Sequence, residues 1–350
     1  MVFQTPPASM EAKKGRLTTG QQDAILLRTR RGRRKTALRT ILSIVVVLGA
    51  GYGPPAAAQA PSKAMLGRWD LTLTTPTGEL PSWIEISEDQ GHPKMVMVGV
   101  TDHATPLKKF TVNGSELEFV SPKGEEGFAA DMTFKGKLAG HELVGTVTDP
   151  AGTVWHWKGV RAPELKRKSP PKWGQPVTLF NGKDLTGWTP RGNSEGSSWQ
   201  AKDGELVKEG NGPDLVNSSK FEDFKLHIEF NCGANANSGV YLRGRYEVQI
   251  ETDSVAEPNS HHTGGVYGFL DPTPEQPRKP GVWQTFDITL LGRYVTVVQN
   301  GITVIDNKEI PGITGGALDS HEGLPGPIYL QASEKGRVAF RNIVITPAKE

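Results

Sequence analysis

The chain has 350 residues and a formal net charge of +2, with 41 glycines and 26 prolines making up about a fifth of it. That length supports one or two ordinary cores, and the Gly/Pro content with little helical periodicity predicts short strands joined by turns. The charge is unevenly placed: residues 1–60 hold ten Lys and Arg against Glu11 and Asp23, leaving 30 basic and 36 acidic residues in 61–350. A mildly acidic body of this kind has no electrostatic case for binding nucleic acid.

Residues 1–60 read as a targeting segment. A basic run from Arg28 to Arg39 precedes the apolar stretch Ile41–Leu48, and small residues follow up to Ala58-Gln59-Ala60, a cleavage site ahead of Pro61. The apolar stretch is shorter than the roughly 20 residues of a stable membrane span, so cleavage, export to the periplasm or medium, and no stable transmembrane span afterwards are expected. No cysteine stands at the cleavage site, which argues against a lipid anchor there. Cys232 is the sole cysteine, excludes an intramolecular disulfide, and follows the strand-like Leu226–Phe230, so a buried structural thiol is expected.

Residues 61–160 form a first unit. Alternating runs recur at Arg68–Leu73, Ser82–Ile86, Lys94–Gly99, Glu116–Phe119, Ala130–Phe134, Glu142–Val147 and Thr153–Trp157, and Asn113-Gly114 is a hairpin signal. Seven or eight such strands predict a small antiparallel β-barrel or sandwich, which resembles the lipocalin-like modules of exported bacterial proteins at the level of fold alone. Trp155 and Trp157 share a strand face and read as core, with an aromatic platform for sugar as the alternative; His156 points outward. His92, His103 and His141 lie in or beside turns without metal-ligand spacing. Residues 161–176, with four prolines and five basic residues, read as a stiff, solvated linker.

Residues 177–348 form a second strand-rich unit, with runs at 205–208, 224–230, 239–243, 245–251, 265–269, 282–291, 294–299, 302–305, 327–331 and 337–345. Their number and alternation suit two packed antiparallel sheets, which makes the whole chain all-β. Turns are supplied by Gly204, Asn300-Gly301 and the glycine-rich 312–316 stretch.

The opening of this unit, Leu179-Phe180-Asn181-Gly182-Lys183-Asp184-Leu185-Thr186-Gly187-Trp188, resembles the 3-keto-disaccharide hydrolase family. The likeness continues through Trp199, Asp203-Gly204, Asn237–Arg243, Tyr246–Ile250, Thr263–Tyr267, Trp283, Asn300-Gly301, Gly326–Gln331 and Phe340–Ile343, in order, over about half the chain. The resemblance implies a concanavalin-like jelly-roll sandwich that handles carbohydrate, in some members as a 3-ketoglycoside-cleaving enzyme with a divalent metal. Many members of that family carry an acidic residue, a histidine and a glycine ahead of the Phe-Arg-Asn-Ile segment. Here the stretch is Gln331-Ala332-Ser333-Glu334-Lys335-Gly336, with no histidine.

Alternation puts Tyr241 and Arg243 on one face of their strand, and Glu247, Gln249 and Glu251 on one face of the next. Three polar groups in a row call for water or a ligand; an ordinary solvated face is the competing reading. His261 and His262 stand in a polar loop and, being adjacent on extended chain, point apart, so at most one joins a metal site with Glu247, Glu251 or Asp253; a solvated loop pair is the equal alternative. Tyr267, Lys279 and Trp283 are candidates for the border of the same cleft, and Gln331 for substrate contact. The chemistry implied is removal of the C2 proton beside a C3 ketone, β-elimination and hydration. The candidate catalytic groups are Glu247, His261 and His262; the candidate substrate contacts are Tyr241, Arg243, Gln249, Tyr267, Lys279, Trp283 and Gln331. A divalent metal (calcium, manganese or zinc, undistinguished) would use Glu247, Glu251, Asp253 and His262, with no organic cofactor. Two rivals stand beside this reading: a non-catalytic carbohydrate-binding protein, and a conventional two-carboxylate glycosidase. The latter needs a partner such as Asp253, since Glu247 and Glu251 stand roughly 13 Å apart along a strand.

Overall fold

The computed structural model describes residues 61–192, 197–210, 212–251, 258–333 and 336–349, all within one compact unit spanning 57–350. The expected targeting segment, residues 1–60, lies outside the described residues, as does Asp253. Among the described residues no helix is long and apolar enough to cross a membrane.

Alternating apolar and polar residues build the first sheet from nine antiparallel strands: β1 (Gly67–Thr75), β2 (Gly78–Asp89), β3 (His92–Val98), β4 (Thr105–Pro106), β5 (Phe110–Asn113), β6 (Glu116–Ser121), β7 (Met132–Ala139), β8 (Glu142–Thr148) and β9 (Val154–Arg161). Their order, β4-β3-β2-β1-β9-β8-β7-β6-β5, leaves β4 and β5 as two edges, so the curled sheet does not pair into a closed ring. Its core gathers Trp69, Leu71, Ile84, Met97, Phe119, Phe134 and Trp157. Trp155 and Trp157 are 6% and 2% exposed, which makes them core rather than a platform.

The remaining strands are β10 (Lys172–Trp173), β11 (Val177–Thr178), β12 (Trp188–Pro190), β13 (Trp199–Lys202), β14 (Glu205–Lys208), β15 (Leu215–Phe221), β16 (Phe224–Cys232), β17 (Ser238–Leu242), β18 (Tyr246–Ile250), β19 (Gln284–Leu291), β20 (Tyr294–Gln299), β21 (Ile302–Glu309), β22 (Gly326–Leu330) and β23 (Val338–Lys349). They form two antiparallel sheets. One runs β13-β14-β23-β16-β19-β20-β21, with β10 and β11 also on β23; the other runs β12-β15-β22-β17-β18. Leu226, Ile228 and Phe230 from the first share a core with Val240, Leu242, Val248, Ile250, Ile328 and Leu330 from the second, as face-to-face packing of alternating strands requires. The 265–269 run is not a strand: Val266 makes only isolated bridges to Val248 and Leu270. Cys232 is buried beside Arg278 Nη1 at 3.3 Å, and desolvation raises its pKa.

The two strand-rich halves share buried surface. Trp83 of β2 and Val98 of β3 are fully buried in the C-terminal core. Trp83 meets Phe269 edge-on at 5.6 Å, and Gly312 lies against its indole so closely that a Cβ there would sit 2.3 Å from Nε1. Arg68 pairs with Glu309 at 2.6 Å and the Thr72 and Ser320 hydroxyls meet at 2.7 Å. The 161–176 segment, expected to be a solvated linker, lies on this body. Leu165 C=O accepts from Arg293 N–H at 3.0 Å, Pro163 C=O accepts from the Arg293 guanidinium, and Arg167 pairs with the buried Asp223 at 2.8 Å.

Candidate active site

Strands β22, β17 and β18 stand side by side, and their register aligns Tyr329, Tyr241 and Glu247 in one cross-strand row. Period-two alternation sends Val240, Leu242, Val248, Ile250, Ile328 and Leu330 into the core and turns Tyr241, Glu247, Gln249 and Tyr329 to the other face. There they line a cleft of about 730 Å³, within the range of small-molecule sites. Its walls include Glu251, Gln331 and Tyr267, together with Asp214, Arg191, Asn235, Asn237 and the Gly315-Gly316 turn.

Glu247 is 1% exposed. Burial is the main cause that raises its carboxyl pKa from 4.5 to about 8; the Tyr241 hydroxyl contact opposes it, and the charges of Asp214 and Glu251 add to it. The Tyr241 hydroxyl lies 2.6 Å from the Gly315 carbonyl and 2.9 Å from Glu247 Oε2. A phenol has one proton and a carbonyl can only accept. The single proton therefore serves either Gly315 C=O or Glu247 Oε2 at any one time. Glu247 Oε1 is buried with no protein hydrogen-bond partner, and so is Oε1 of Gln331. Buried acceptors of this kind cost about 1–3 kcal/mol each until a donor arrives.

Room for the carboxyl comes from Gly239, across the β17–β18 ladder. A Cβ there would lie 2.0 Å from Glu247 Oε1. Tyr241 and Tyr329 stack at 3.9 Å, and burial raises both phenols well above 10, so both stay protonated at neutral pH. The Tyr329 hydroxyl donates to Gly316 C=O at 2.6 Å. Arg191 donates to the carbonyls of Gly316 (2.8 Å) and Ala317 (3.0 Å) and lies 3.4 Å from Asp214 Oδ2. Asp214 Oδ1 is held by the Ala332 N–H at 2.9 Å.

The structure thus brings Tyr241, Glu247, Gln249, Glu251, Tyr267 and Gln331 to one cleft, and places other candidates elsewhere. Arg243 does not share the Tyr241 face. The strand ends at Leu242, and Arg243 and Gly244 turn the chain with φ of 54° and 71°. Its buried guanidinium donates to the carbonyls of Gly292, Glu322 and Leu324. Trp283 packs under the Arg341 guanidinium at 4.0 Å and Lys279 is exposed; neither lines the cleft. His261 and His262 are buried rather than solvated. They diverge: His261 stacks on Tyr267 at 4.4 Å, and His262 Nδ1 lies 3.4 Å from Glu275 Oε1.

Their loop is fixed to β18 by backbone bonds, Gly264 N–H to Gln249 C=O and Tyr267 N–H to Glu247 C=O (2.9 and 3.1 Å). Among the described residues no three His, Cys, Asp or Glu side chains converge as metal ligands. Glu247 and Glu251 both line the cleft, and Asp253, another of the expected ligands, lies outside the described residues. Sequence reasoning missed Asp214, Arg191, Tyr329 and Thr101. Of these, only Tyr329 carried a signal, as the sole polar position between Ile328 and Leu330.

Residues 175–346 match the model of the 3-keto-alpha-glucoside-1,2-lyase-like domain. A 3-keto-disaccharide hydrolase of Bacteroides thetaiotaomicron is 22% identical over a 166-residue alignment that takes in 37% of this chain. The match spans 57% of that relative's length. Among solved structures, a glycosyl-hydrolase candidate from Parabacteroides distasonis is 28% identical, with a TM-score of 0.42, over 57% of this chain and 98% of that one. Carbohydrate-binding module CBM66 of Bacillus subtilis is 13% identical, with a TM-score of 0.30, over 45% of this chain and 94% of that one. Residues 175–346 of this protein form a domain that matches the 3-keto-alpha-glucoside-1,2-lyase-like family.

Proposed function

We propose that the cleft binds a 3-keto-disaccharide and cleaves its glycosidic bond by elimination followed by hydration. The observation that carries this reading is Glu247, a buried carboxyl with a pKa raised to about 8 and an Oε1 that no protein donor reaches. A general base works best with a pKa near the working pH. A ketone at C3 acidifies the C2 proton. Ionised Glu247 takes that proton, and the electron pair forms a C2–C3 enediolate whose oxygen meets the amides of Gln249 and Gln331 and the Arg191 guanidinium. Collapse forms the C1–C2 double bond and expels the glycosidic oxygen, which takes up a proton. Water then adds at C1 while C2 regains a proton. The unsatisfied acceptors of Glu247 and Gln331 suit the hydroxyl donors of a sugar.

We read the two C-terminal sheets as a concanavalin-like jelly roll, and the basic-then-apolar residues 28–48 as support for export with cleavage after Ala60. N-terminal sequencing of the extracytoplasmic protein tests the latter.

The functional test is incubation of the full chain with 3-keto and unoxidised disaccharides, with and without chelator. Product from the keto sugar alone, lost in Glu247→Gln, is expected. Equal cleavage of the unoxidised sugar refutes the keto reading, and binding without turnover makes this a carbohydrate-binding protein. Loss of turnover on chelation brings a divalent metal into the site.

A further inference from the structure

The N-terminal β-unit lies outside the family domain, yet it supplies part of the cleft wall. After β3 the loop 99–104 crosses onto the C-terminal half. Thr101 lines the cleft, and Val100 C=O accepts from Gly316 N–H at 2.9 Å. Gly315 sits so tightly on this loop that a Cβ there would lie 2.2 Å from the Asp102 carbonyl oxygen. These contacts hold the very turn whose carbonyls receive the Tyr241 and Tyr329 hydroxyls.

The same loop then reaches the opposite wall. Asp102 Oδ1 accepts from the His103 backbone N–H at 2.8 Å and lies 2.6 Å from His103 Nδ1. The backbone bond holds the carboxyl oxygen in place, and its contact with Nδ1 orients the imidazole. The His103 ring meets His261 edge-on at 4.8 Å and stands 6.3 Å from Tyr267. His261 in turn stacks on Tyr267 at 4.4 Å with an interplanar angle of 31°. Gly268 follows Tyr267 with φ of +73°, and a Cβ there would sit 2.7 Å from Ala104 N and 2.8 Å from His103 Cβ. A continuous series of contacts therefore runs Asp102, His103, His261, Tyr267, ending at a half-buried aromatic ring in the cleft.

We propose that the N-terminal β-unit is part of the sugar-binding site, its Asp102–His103 pair bracing the His261–Tyr267 stack so that the Tyr267 ring forms a fixed wall against which a sugar unit rests. The proposal rests on the carbohydrate reading of the cleft. A tyrosine offers an apolar face to sugar C–H groups and a polar edge to hydroxyls, and a braced ring loses less freedom on binding than a loose one. Asp102 and His103 are positioning residues, acting through His261 and Tyr267.

The test measures the dissociation constant and the kinetics of the full-length protein for a 3-keto-disaccharide and its unoxidised parent, in His103→Ala, Asp102→Ala and Asp102→Asn, with a thermal melt on each sample. His103→Ala and Asp102→Ala are expected to raise KM and Kd about tenfold, the size of one lost aromatic contact, with kcat within about twofold. Asp102→Asn keeps an oxygen that accepts both bonds and is expected to recover most of the affinity. The proposal is overturned by a folded His103→Ala protein with wild-type Kd, by a loss confined to kcat, or by an Asp102→Asn protein as weak as Asp102→Ala. Should His103→Ala fail to fold, the Asp102 pair decides. A wild-type protein that binds disaccharide but cleaves no keto sugar refutes the lyase reading alone; one that binds neither sugar refutes both.

Discussion

Replacing Glu247 by glutamine should change stability in a way that depends steeply on pH. The folded-state pKa is raised from 4.5 to about 8 by burial. Above pH 4.5 the unfolded chain loses the Glu247 proton while the folded protein keeps it, so the wild type loses stability as pH rises. The slope is about 1.4 kcal/mol per pH unit until the folded pKa is passed, and both states are protonated below 4.5. Glutamine keeps the size and carries no such slope. The stability difference, Glu247→Gln minus wild type, should therefore grow in favour of glutamine by about 3.5 kcal/mol between pH 5 and pH 8. Glu126, raised by burial to about 8, and Asp70, raised to about 10, titrate in both proteins and cancel in the difference. Urea denaturation of the two proteins at pH 5, 6, 7 and 8 measures it. Parallel stability curves would mean that the carboxyl is already ionised in the folded protein, and the buried-acid reasoning would fail. The same titration predicts that turnover of the keto sugar rises with pH up to about 8 as the base form of Glu247 accumulates.

Gly239→Ala should separate activity from stability. The added methyl would lie 2.0 Å from Glu247 Oε1 and 2.8 Å from its Cδ and Cγ, so the side chain must shift away; turnover should fall at least tenfold while the melting temperature moves by only a few degrees, read by kinetics and a thermal melt. Tyr241→Phe removes the hydroxyl contact that lowers the Glu247 pKa, so the rising limb of the pH–rate profile should move to higher pH; a move to lower pH would show that the phenol oxygen instead holds the carboxyl proton. Trp83→Ala should cost about 3–5 kcal/mol, the range for truncating a buried tryptophan. Because Trp83 belongs to the C-terminal core, hydrogen exchange should quicken on β16 and β19 as well as on β1 and β3; a change confined to the N-terminal strands would refute shared burial.

What the sequence disclosed follows from what alternation can encode. Tyr246 to Ile250 reads correctly because each side chain of a straight strand has its face set by parity, and Glu247 and Gln249 reach the cleft accordingly. The same rule failed at Arg243, where a left-handed φ of 54° takes the chain out of the strand one residue early, and an Arg-Gly pair is a weaker turn signal than Asn-Gly. Asp214 and Arg191 were invisible because they enter from segments next to β15 and β12, whose face no periodicity fixes.

The N-terminal half read as functionally silent for a related reason. Its contribution is one loop of backbone carbonyls, a threonine and the Asp102–His103 pair, whose partners His261 and Tyr267 lie far along the chain. One trace of the docking was nonetheless present. Ile84 and Ile86 define the inner face of β2, so Trp83 must point outward. A tryptophan on the outer face of a sheet leaves a large apolar surface in water unless something covers it. In this protein the C-terminal core covers it, and that burial carries the loop 99–104 to the cleft.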